Sequence, residues 1–309
     1  AALFEATTLA GMFARGVFQT SFWEFGSGGY PDDELPTPEH VPTLRYQVDG
    51  KALTITPQTH KLVVPHSKDS ALNIPLQLHR YGQPGRPPLL LLHGLAQGSG
   101  IFTTTTLETN MVQYFLGEKF DVWVLDYRIS NRIFPKLSKE LKTGWAIDEI
   151  AAFDIKDAID HIYSACNQKI AVIAHCVGSV AIQMAILSGL VGKDRIAAYI
   201  SNAIHPWLAP SAANRVRSRI GNYVEITMVD GLLDPVPRPD DRNSALKTLT
   251  DRLAFACARI AENQTNGHPL PSSPEESIQQ AICDRLTLLY GRMWNHFNLA
   301  PATRMHWHE

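Results

Sequence analysis

The sequence predicts an α/β protein built on a doubly wound, mostly parallel sheet. Apolar runs of strand length alternate with segments of helical periodicity through the middle of the chain, and the clearest runs are 89–92, 122–126 and 170–173. Strands that are separated by helices pair in parallel within one sheet. The alternation therefore sets the fold class, and the fully apolar runs place their strands at the buried centre of the sheet.

Shorter elements surround these central strands. Four runs of strand character come first and one more follows the central strands, at 44–48, 53–56, 61–64, 76–79 and 196–200. A helix is predicted around 107–116, and a second over 145–164, which carries apolar residues at helical spacing into the strand at 170. Together these elements form a sheet with its crossover helices.

The chain divides into three predicted parts. Residues 1–43 form an N-terminal helical arm and linker, 44–205 the first part of the α/β core, and 206–309 a helical cap or insertion. Within the last part, Ser273-Pro274-Glu275-Glu276 is a typical helix start, while 223–228 is the one possible strand.

Composition excludes several classes of partner. The chain has 309 residues, 45% of them hydrophobic, which suffices for a large core with an insertion. A net charge of −2 without a basic run gives no footprint for nucleic acid or an anionic membrane. No apolar run reaches bilayer length. A start at Ala1 without a charged region argues against an attached signal peptide and indicates a processed or engineered beginning.

The four cysteines lack metal-type spacing, and a chain of this length needs no disulfide framework. We therefore expect reduced thiols, a cytoplasmic setting and no metal site.

Cys176 is the candidate nucleophile. The segment 174–178, Ala-His-Cys-Val-Gly, lies between a buried strand and an apolar helix. This segment matches the G-x-S-x-G nucleophile elbow, with Cys in place of Ser and Ala in place of the first Gly. The helix N-terminus that follows such a turn stabilises a thiolate and an oxyanion alike. The alternative is an inert core cysteine at a strand end.

The chain from about 85 to 205 resembles the α/β-hydrolase superfamily, and within it the acid-lipase-like branch. Leu92-His93-Gly94-Leu95 is similar to that branch's oxyanion loop, and Phe120-Asp121-Val122-Trp123 to its next strand. Residues 145–149 together with Asp154 are similar to the helix before the elbow. The resemblance implies an α/β-hydrolase fold with a helical cap.

A narrower resemblance involves the end of the chain. Leu288-Leu289-Tyr290-Gly291, Asn298-Leu299 and Pro301-Ala302-Thr303 are similar to hydrolase modules fused to cholesterol-oxidase-type flavoproteins. No G-x-G-x-x-G accompanies them, so we expect no flavin and no other cofactor.

In this superfamily the triad runs nucleophile, acid, histidine, the last two on loops after later strands. Asp234 has the right order for the acid, and His306 or His308 for the base. An Asp before Pro is also ordinary turn chemistry, and a terminal His-Trp-His-Glu an ordinary surface end. Because one strand alone clearly follows the elbow, the remaining strands and triad members are expected beyond Glu309, in a second polypeptide, or to be missing.

Further residues are predicted to support the site. The N–H groups of Val177 and Leu95 are candidate oxyanion donors, with Gly94 and Gly178 as site-supporting residues. His93 is expected to buttress the oxyanion loop, proton transfer being the alternative.

Three more side chains are expected to have structural roles. His175 is expected to pack behind the elbow and Ser179 to cap or pack the following helix. Asp126 is expected to form an ion pair or hydrogen bond with the following Tyr127-Arg128 segment.

The resulting functional prediction is a hydrolase that cleaves an ester or thioester of an apolar substrate through a Cys176 acyl-enzyme. A cap rich in Leu, Trp and Phe suggests the apolar acyl or alcohol group. Two alternatives stay open: an acyltransferase of polyhydroxyalkanoate-synthase type, since Cys elbows also occur there, and a non-catalytic hydrolase-fold binding module.

Overall fold

The computed structural model describes residues 41–66, 72–95, 97–104, 107–142 and 146–203, which fall within one compact unit. The predicted cap, the arm before residue 41, the possible strand at 223–228 and the helix start at Ser273 lie outside the described residues. The strands are β1 (Leu44–Val48), β2 (Lys51–Ile55), β3 (Gln58–Pro65), β4 (Asn73–Tyr81), β5 (Pro88–Leu92), β6 (Asp121–Asp126), β7 (Ile170–His175) and β8 (Ile196–Asn202).

The helices lie mostly between the parallel strands. They are α1 (Gly100–Thr103), α2 (Met111–Gly117), α3 (Lys139–Lys142), α4 (Ile147–Glu149), α5 (Lys156–Cys166) and α6 (Val177–Leu187), with a 3₁₀ turn at Phe134–Lys136 and a π-helical segment at Ile150–Ile155. No helix among these described residues combines the length and the apolar character needed to cross a bilayer.

Six strands form one sheet in the order β3-β4-β6-β5-β7-β8. The pairs β3/β4 and β4/β6 are antiparallel, whereas β6/β5, β5/β7 and β7/β8 are parallel. The chain leaves β5 for β6 on one side and then returns to β7 on the other, so the strand order reverses at β5. Binding sites of α/β sheets lie at the carboxyl ends of the strands at such a reversal.

The centre of the sheet is fully buried. Every residue of β5 and β6 is buried, which is why both strands read as continuous apolar runs rather than alternating ones. Separately, β1 and β2 pair as a hairpin whose turn residues Asp49 and Gly50 have φ of 50° and 74°. The hairpin residues Leu44 and Tyr46 share a buried cluster with Val112 and Leu116 of α2.

Within the described ranges, the predicted strands and helices form at or near their predicted bounds, with two differences. The helix expected from 107 begins at Met111, because Asn110 caps it: the Asn110 side chain accepts from Gln113 N (2.9 Å) and the Gln113 side chain accepts from Asn110 N (2.8 Å). The helix expected over 145–164 contains the π-helical segment between α4 and α5.

The π-helical segment buries a carboxylate. Asp154 lies within it and accepts three hydrogen bonds from the Arg128 guanidinium at 2.6–3.1 Å, and both side chains are fully buried. Arg128 thus pairs with a carboxylate on the helix before the elbow, while Asp126 has the expected structural role through other partners, described below. A buried guanidinium needs a carboxylate with good geometry, and Asp154 supplies it.

Candidate active site

Cys176 occupies a strained turn between β7 and α6. Its φ of 51° and ψ of −117° are unusual for a residue that has a Cβ. Both backbone groups are engaged: Cys176 N donates to Asn202 O at the end of β8 (3.0 Å), and Cys176 O accepts from Ser179 N (3.0 Å) and Val180 N (3.2 Å). The sheet and the helix thus hold the turn, and the thiol is half-buried above the sheet.

Two glycines let other segments approach this turn. A Cβ on Gly178 would lie 2.6 Å from the carbonyl oxygen of His93, and a Cβ on Gly94 would lie 3.0 Å from the Cβ of Cys176. The first contact would force the backbone to move, and the second would require the cysteine to shift by a few tenths of an ångström. The small residues of the elbow pattern are therefore needed to bring the loop after β5 against the nucleophile candidate.

The loop after β5 is held by hydrogen bonds at consecutive peptide groups. Gly94 N donates to Gln97 Oε1 (2.9 Å), and the carbonyl of His93 accepts from the Tyr127 hydroxyl (2.6 Å). His93 Nδ1 lies 2.7 Å from Gly94 O, which makes Nδ1 the protonated nitrogen of the neutral ring. The ring of His93 stacks on Tyr127 at 4.3 Å between centroids.

His93 is fully buried. Burial, opposed by the nearby Asp126 charge, lowers its pKa from 6.5 to about 4. The ring is therefore neutral at pH 7, and its contacts are those of a group that supports the loop.

Asp126, at the end of β6, is a buried hydrogen-bond acceptor for several segments. It accepts from His79 Nε2 (3.1 Å), from the N–H and hydroxyl of Ser99 (2.7 and 2.6 Å) and from the Ser130 hydroxyl (2.7 Å). Burial opposes ionisation, but the His79 hydrogen bond and the charge of Arg132 hold the pKa of this carboxyl well below its usual range. Asp126 is therefore ionised, and its carboxylate holds the loops after β5 and β6 together.

Two neighbours of Cys176 also have local roles. The Ser179 hydroxyl donates to Ala174 O (2.6 Å), which ties the first turn of α6 to the end of β7. His175 is half-buried, and its Cδ2 lies 3.0 Å from the position that a Gly94 Cβ would occupy. Ser179 therefore braces the elbow as expected for a packing residue.

The candidate oxyanion donors lie on the two segments that meet at this point. Val177 is the first residue of α6, where helical N–H groups have no intrahelical acceptor. Leu95 follows Gly94 in the loop after β5 and is half-buried. The structure thus brings together the segments that carry Cys176, Val177, Gly178, His93, Gly94 and Leu95.

The remaining triad predictions concern other parts of the chain. Asp234, His306 and His308 lie outside the described residues. Within the described ranges no group of three or more His, Cys, Asp or Glu side chains could hold a metal ion. Sequence reasoning missed the contact of Tyr127 with the loop after β5, although its position directly after a buried parallel strand placed it at the correct edge of the sheet.

An open cleft of about 340 Å³ lies elsewhere on the described core. Its lining comes from the helical segment 148–153 and from Met184, Ser188 and Leu190 at the far end of α6. None of the residues around Cys176 lines it, so this cleft is not the candidate active site.

The sheet order, the reversal at β5 and the strained strand-turn-helix at Cys176 define an α/β-hydrolase core. No family model matches the chain. Triacylglycerol lipase 2 of Arabidopsis thaliana is 29% identical over 124 residues, which cover 38% of this chain and 29% of that protein. Sterol esterase 2 of Saccharomyces cerevisiae is 29% identical over 111 residues, covering 34% and 20%. The chain thus matches less than a third of the length of these relatives.

Two solved structures share the general architecture. A carboxylesterase structure from Nitrososphaera gargenis has a TM-score of 0.40 and 13% identity, covering 74% of this chain and 72% of that one. Epoxide hydrolase A of Mycobacterium thermoresistibile has a TM-score of 0.38 and 14% identity, covering 82% and 74%. Because both scores are low, the fold assignment rests on the sheet and the elbow described above.

The strain at Cys176 predicts an unusual order of stability among variants. Cys176→Ala keeps a Cβ at φ 51°, whereas Cys176→Gly removes it. We expect Cys176→Gly to be more stable than Cys176→Ala by about 1 kcal/mol, although glycine normally costs stability through its greater freedom in the unfolded chain. Urea unfolding of both variants measures the difference, and a less stable glycine variant would contradict the strained turn.

Burial of His93 predicts a loss of stability in mild acid. Between pH 6.5 and about 4 the unfolded chain protonates this ring and the folded chain does not, so the free energy of unfolding falls as pH drops through that window. The contribution is at most about 3 kcal/mol. Asp126 acts in a separate pH window. The stability that its carboxylate contributes is lost only as the pH falls below 3.8, the ordinary pKa of this group.

Urea unfolding of parent and His93→Asn between pH 7 and pH 4.5 tests this contribution. The variant is expected to lose less stability over that interval than the parent. Parallel curves for the two proteins would show that His93 does not titrate as described.

Proposed function

We propose that this chain carries the core of a hydrolase that cleaves an ester or thioester through an acyl-enzyme on Cys176. The observation that carries the proposal is the strained turn of Cys176 at the start of α6, which Gly178 allows to lie directly against the loop after β5. A reactive residue kept in a costly backbone conformation is typical of a catalytic nucleophile. A cysteine that merely packs at a strand end has no need of that conformation.

The proposed reaction has two stages. The Cys176 thiolate attacks the substrate carbonyl carbon, and the N–H groups of Val177 and Leu95 hold the resulting oxyanion. Collapse of this intermediate breaks the bond to the alcohol or thiol, which leaves with a proton from a histidine base. Water, deprotonated by the same base, then attacks the acyl thioester and releases the acid and the free thiol.

The other participants are proposals from chain order. Asp234 is proposed as the acid and His306 or His308 as the base. A helical cap over residues 206–309 is proposed to hold an apolar acyl or alcohol group. The similarity to proteins named triacylglycerol lipase and sterol esterase supports an ester substrate of that kind.

The expected second polypeptide stays a prediction. Intact-mass analysis of every chain in the purified protein tests it directly.

The cysteine at the tip also supports a second candidate, an acyltransferase of polyhydroxyalkanoate-synthase type. Its first stage is the same, but a substrate hydroxyl replaces water as the acceptor in the second. Product analysis with a hydroxyacyl thioester separates the two, because the hydrolase releases free hydroxy acid and the transferase releases chains.

Substitution of the nucleophile tests both catalytic candidates. Cys176→Ala is expected to lower kcat/KM on a panel of nitrophenyl esters and acyl thioesters by at least about 10³-fold, and Cys176→Ser is expected to retain little activity. Cys166→Ala is the matched control, because this second half-buried thiol contacts Asp121 and lies outside the elbow. Activity of Cys176→Ala within twofold of the parent would sink the assignment.

Thiol labelling separates an enzyme from a binding module of the same fold. We expect iodoacetamide at neutral pH to alkylate Cys176 rapidly. Cys166 is expected to react slowly, because burial and the Asp121 carboxylate raise its pKa to about 11. Peptide mapping of the labelled protein gives the two rates, and equally sluggish labelling of both thiols favours the binding module.

A further inference from the structure

Tyr127 is the residue after β6, and its side chain is fully buried between the loop after β5 and the elbow. Its hydroxyl donates a hydrogen bond of 2.6 Å to the carbonyl of His93, and its ring stacks on the ring of the same residue at 4.3 Å. Tyr127 therefore contacts His93 twice, once at the backbone and once at the side chain. Neither contact reaches Cys176 directly.

The backbone contact fixes one peptide group of the oxyanion loop. The carbonyl of His93 and the N–H of Gly94 belong to one planar unit, so they point in opposite directions. Tyr127 holds the oxygen of this unit, and Gln97 Oε1 accepts from its N–H at 2.9 Å. The His93 carbonyl oxygen also lies so close to Gly178 that a Cβ on residue 178 would clash with it. The first peptide of the loop is thus held at both ends.

The side-chain contact fixes the next peptide group. His93 Nδ1 donates to Gly94 O at 2.7 Å, and this oxygen shares a planar unit with the N–H of Leu95. Stacking on Tyr127 sets the plane of the imidazole, the imidazole sets the direction of the Gly94 carbonyl, and the carbonyl sets the direction of the Leu95 N–H. The aim of this proposed oxyanion donor therefore depends on Tyr127.

We propose that Tyr127 is a positioning residue of the oxyanion hole, which holds two successive peptide groups so that the Leu95 N–H points to the oxyanion formed at Cys176. This role rests on the proposed function. Burial and the nearby Asp154 carboxylate raise the pKa of the phenol well above its ordinary value. The hydroxyl is therefore a constant donor and takes no proton from the substrate.

The role predicts a separation between two reactions of the same thiol. Acylation of Cys176 by an ester forms a tetrahedral oxyanion and needs the hole. Alkylation by iodoacetamide forms the carbon–sulfur bond and expels iodide in one displacement, without any oxyanion. Loss of Tyr127's contacts should slow the first reaction and leave the second unchanged.

Tyr127→Phe removes the hydroxyl donor and keeps the ring that stacks on His93, so it tests the hold on the first peptide group, from which the second continues. Tyr81→Phe is the matched control. Tyr81 is also fully buried, and its hydroxyl donates to a backbone carbonyl, Pro42 O, at 3.1 Å. Each variant leaves one backbone carbonyl without its tyrosine donor, at a cost of up to about 3 kcal/mol, and the Pro42 carbonyl is the less buried of the two. Urea unfolding checks that the two variants remain folded to a similar degree.

We expect Tyr127→Phe to lower kcat/KM for a nitrophenyl ester by about 10–100-fold, somewhat less than removal of an oxyanion donor itself. Its rate of Cys176 alkylation should stay within twofold of the parent, and Tyr81→Phe should change neither quantity beyond twofold. Unchanged kcat/KM in Tyr127→Phe, or an equal fall in both reactions, overturns the proposal.

Gln97→Met is the second variant, since it releases the opposite end of the same peptide group. Gln97→Met should show the same separation between ester turnover and alkylation. If Tyr127→Phe does not fold, Gln97→Met tests the proposal alone, and an unchanged kcat/KM in this variant overturns it. The parent protein tests the underlying function separately. Ester turnover that persists after complete alkylation of Cys176 would sink the proposed function, whatever the variants show.

Discussion

The close approach of three backbone segments at one point is the constraint on which the rest of the site depends. The end of β7, the start of α6 and the loop after β5 meet where His93 O would lie 2.6 Å from any Cβ on residue 178. This contact leaves room for glycine alone. It also explains why the cost of a positive φ at Cys176 is accepted, because a relaxed turn would move the thiol away from the loop that faces it.

Buried charges hold the loops that surround this contact. Asp126 accepts four hydrogen bonds, which connect β4, the segment at Ser99 and the loop after β6. Arg128 connects the same loop to Asp154 on the helix before the elbow. A buried ion without its partner costs several kcal/mol, so these loops have few alternative positions. These contacts restrain the side of the site that the described residues form, as the proposed oxyanion hole would require.

The sequence was sufficient for the sheet and for the elbow. Buried parallel strands are apolar on both faces, so β5, β6 and β7 were evident as runs, and the small residues around Cys176 follow from the steric demands of a tight turn. The start of α2 was misplaced because a reciprocal cap at Asn110, and not the apolar pattern, determines it.

The contacts that position the site could not be predicted in this way. Tyr127 and His93 are 34 residues apart, and His79 and Asp126 are 47 apart, so no local pattern pairs them. For the same reason no local pattern shows that Arg128 pairs with Asp154, which lies 26 residues further along the chain. Long-range polar pairs become visible only when the strand order is known.

The π-helical turn at Ile150–Ile155 contains one residue more than an α-helical turn of the same span would. Removal of one residue there would close the turn into a regular helix, but it would rotate one side of that helix by about 100° relative to the other. Asp154 would then leave Arg128, whose buried charge would have no counter-ion. The ion pair thus makes the loss of one residue from this turn costly.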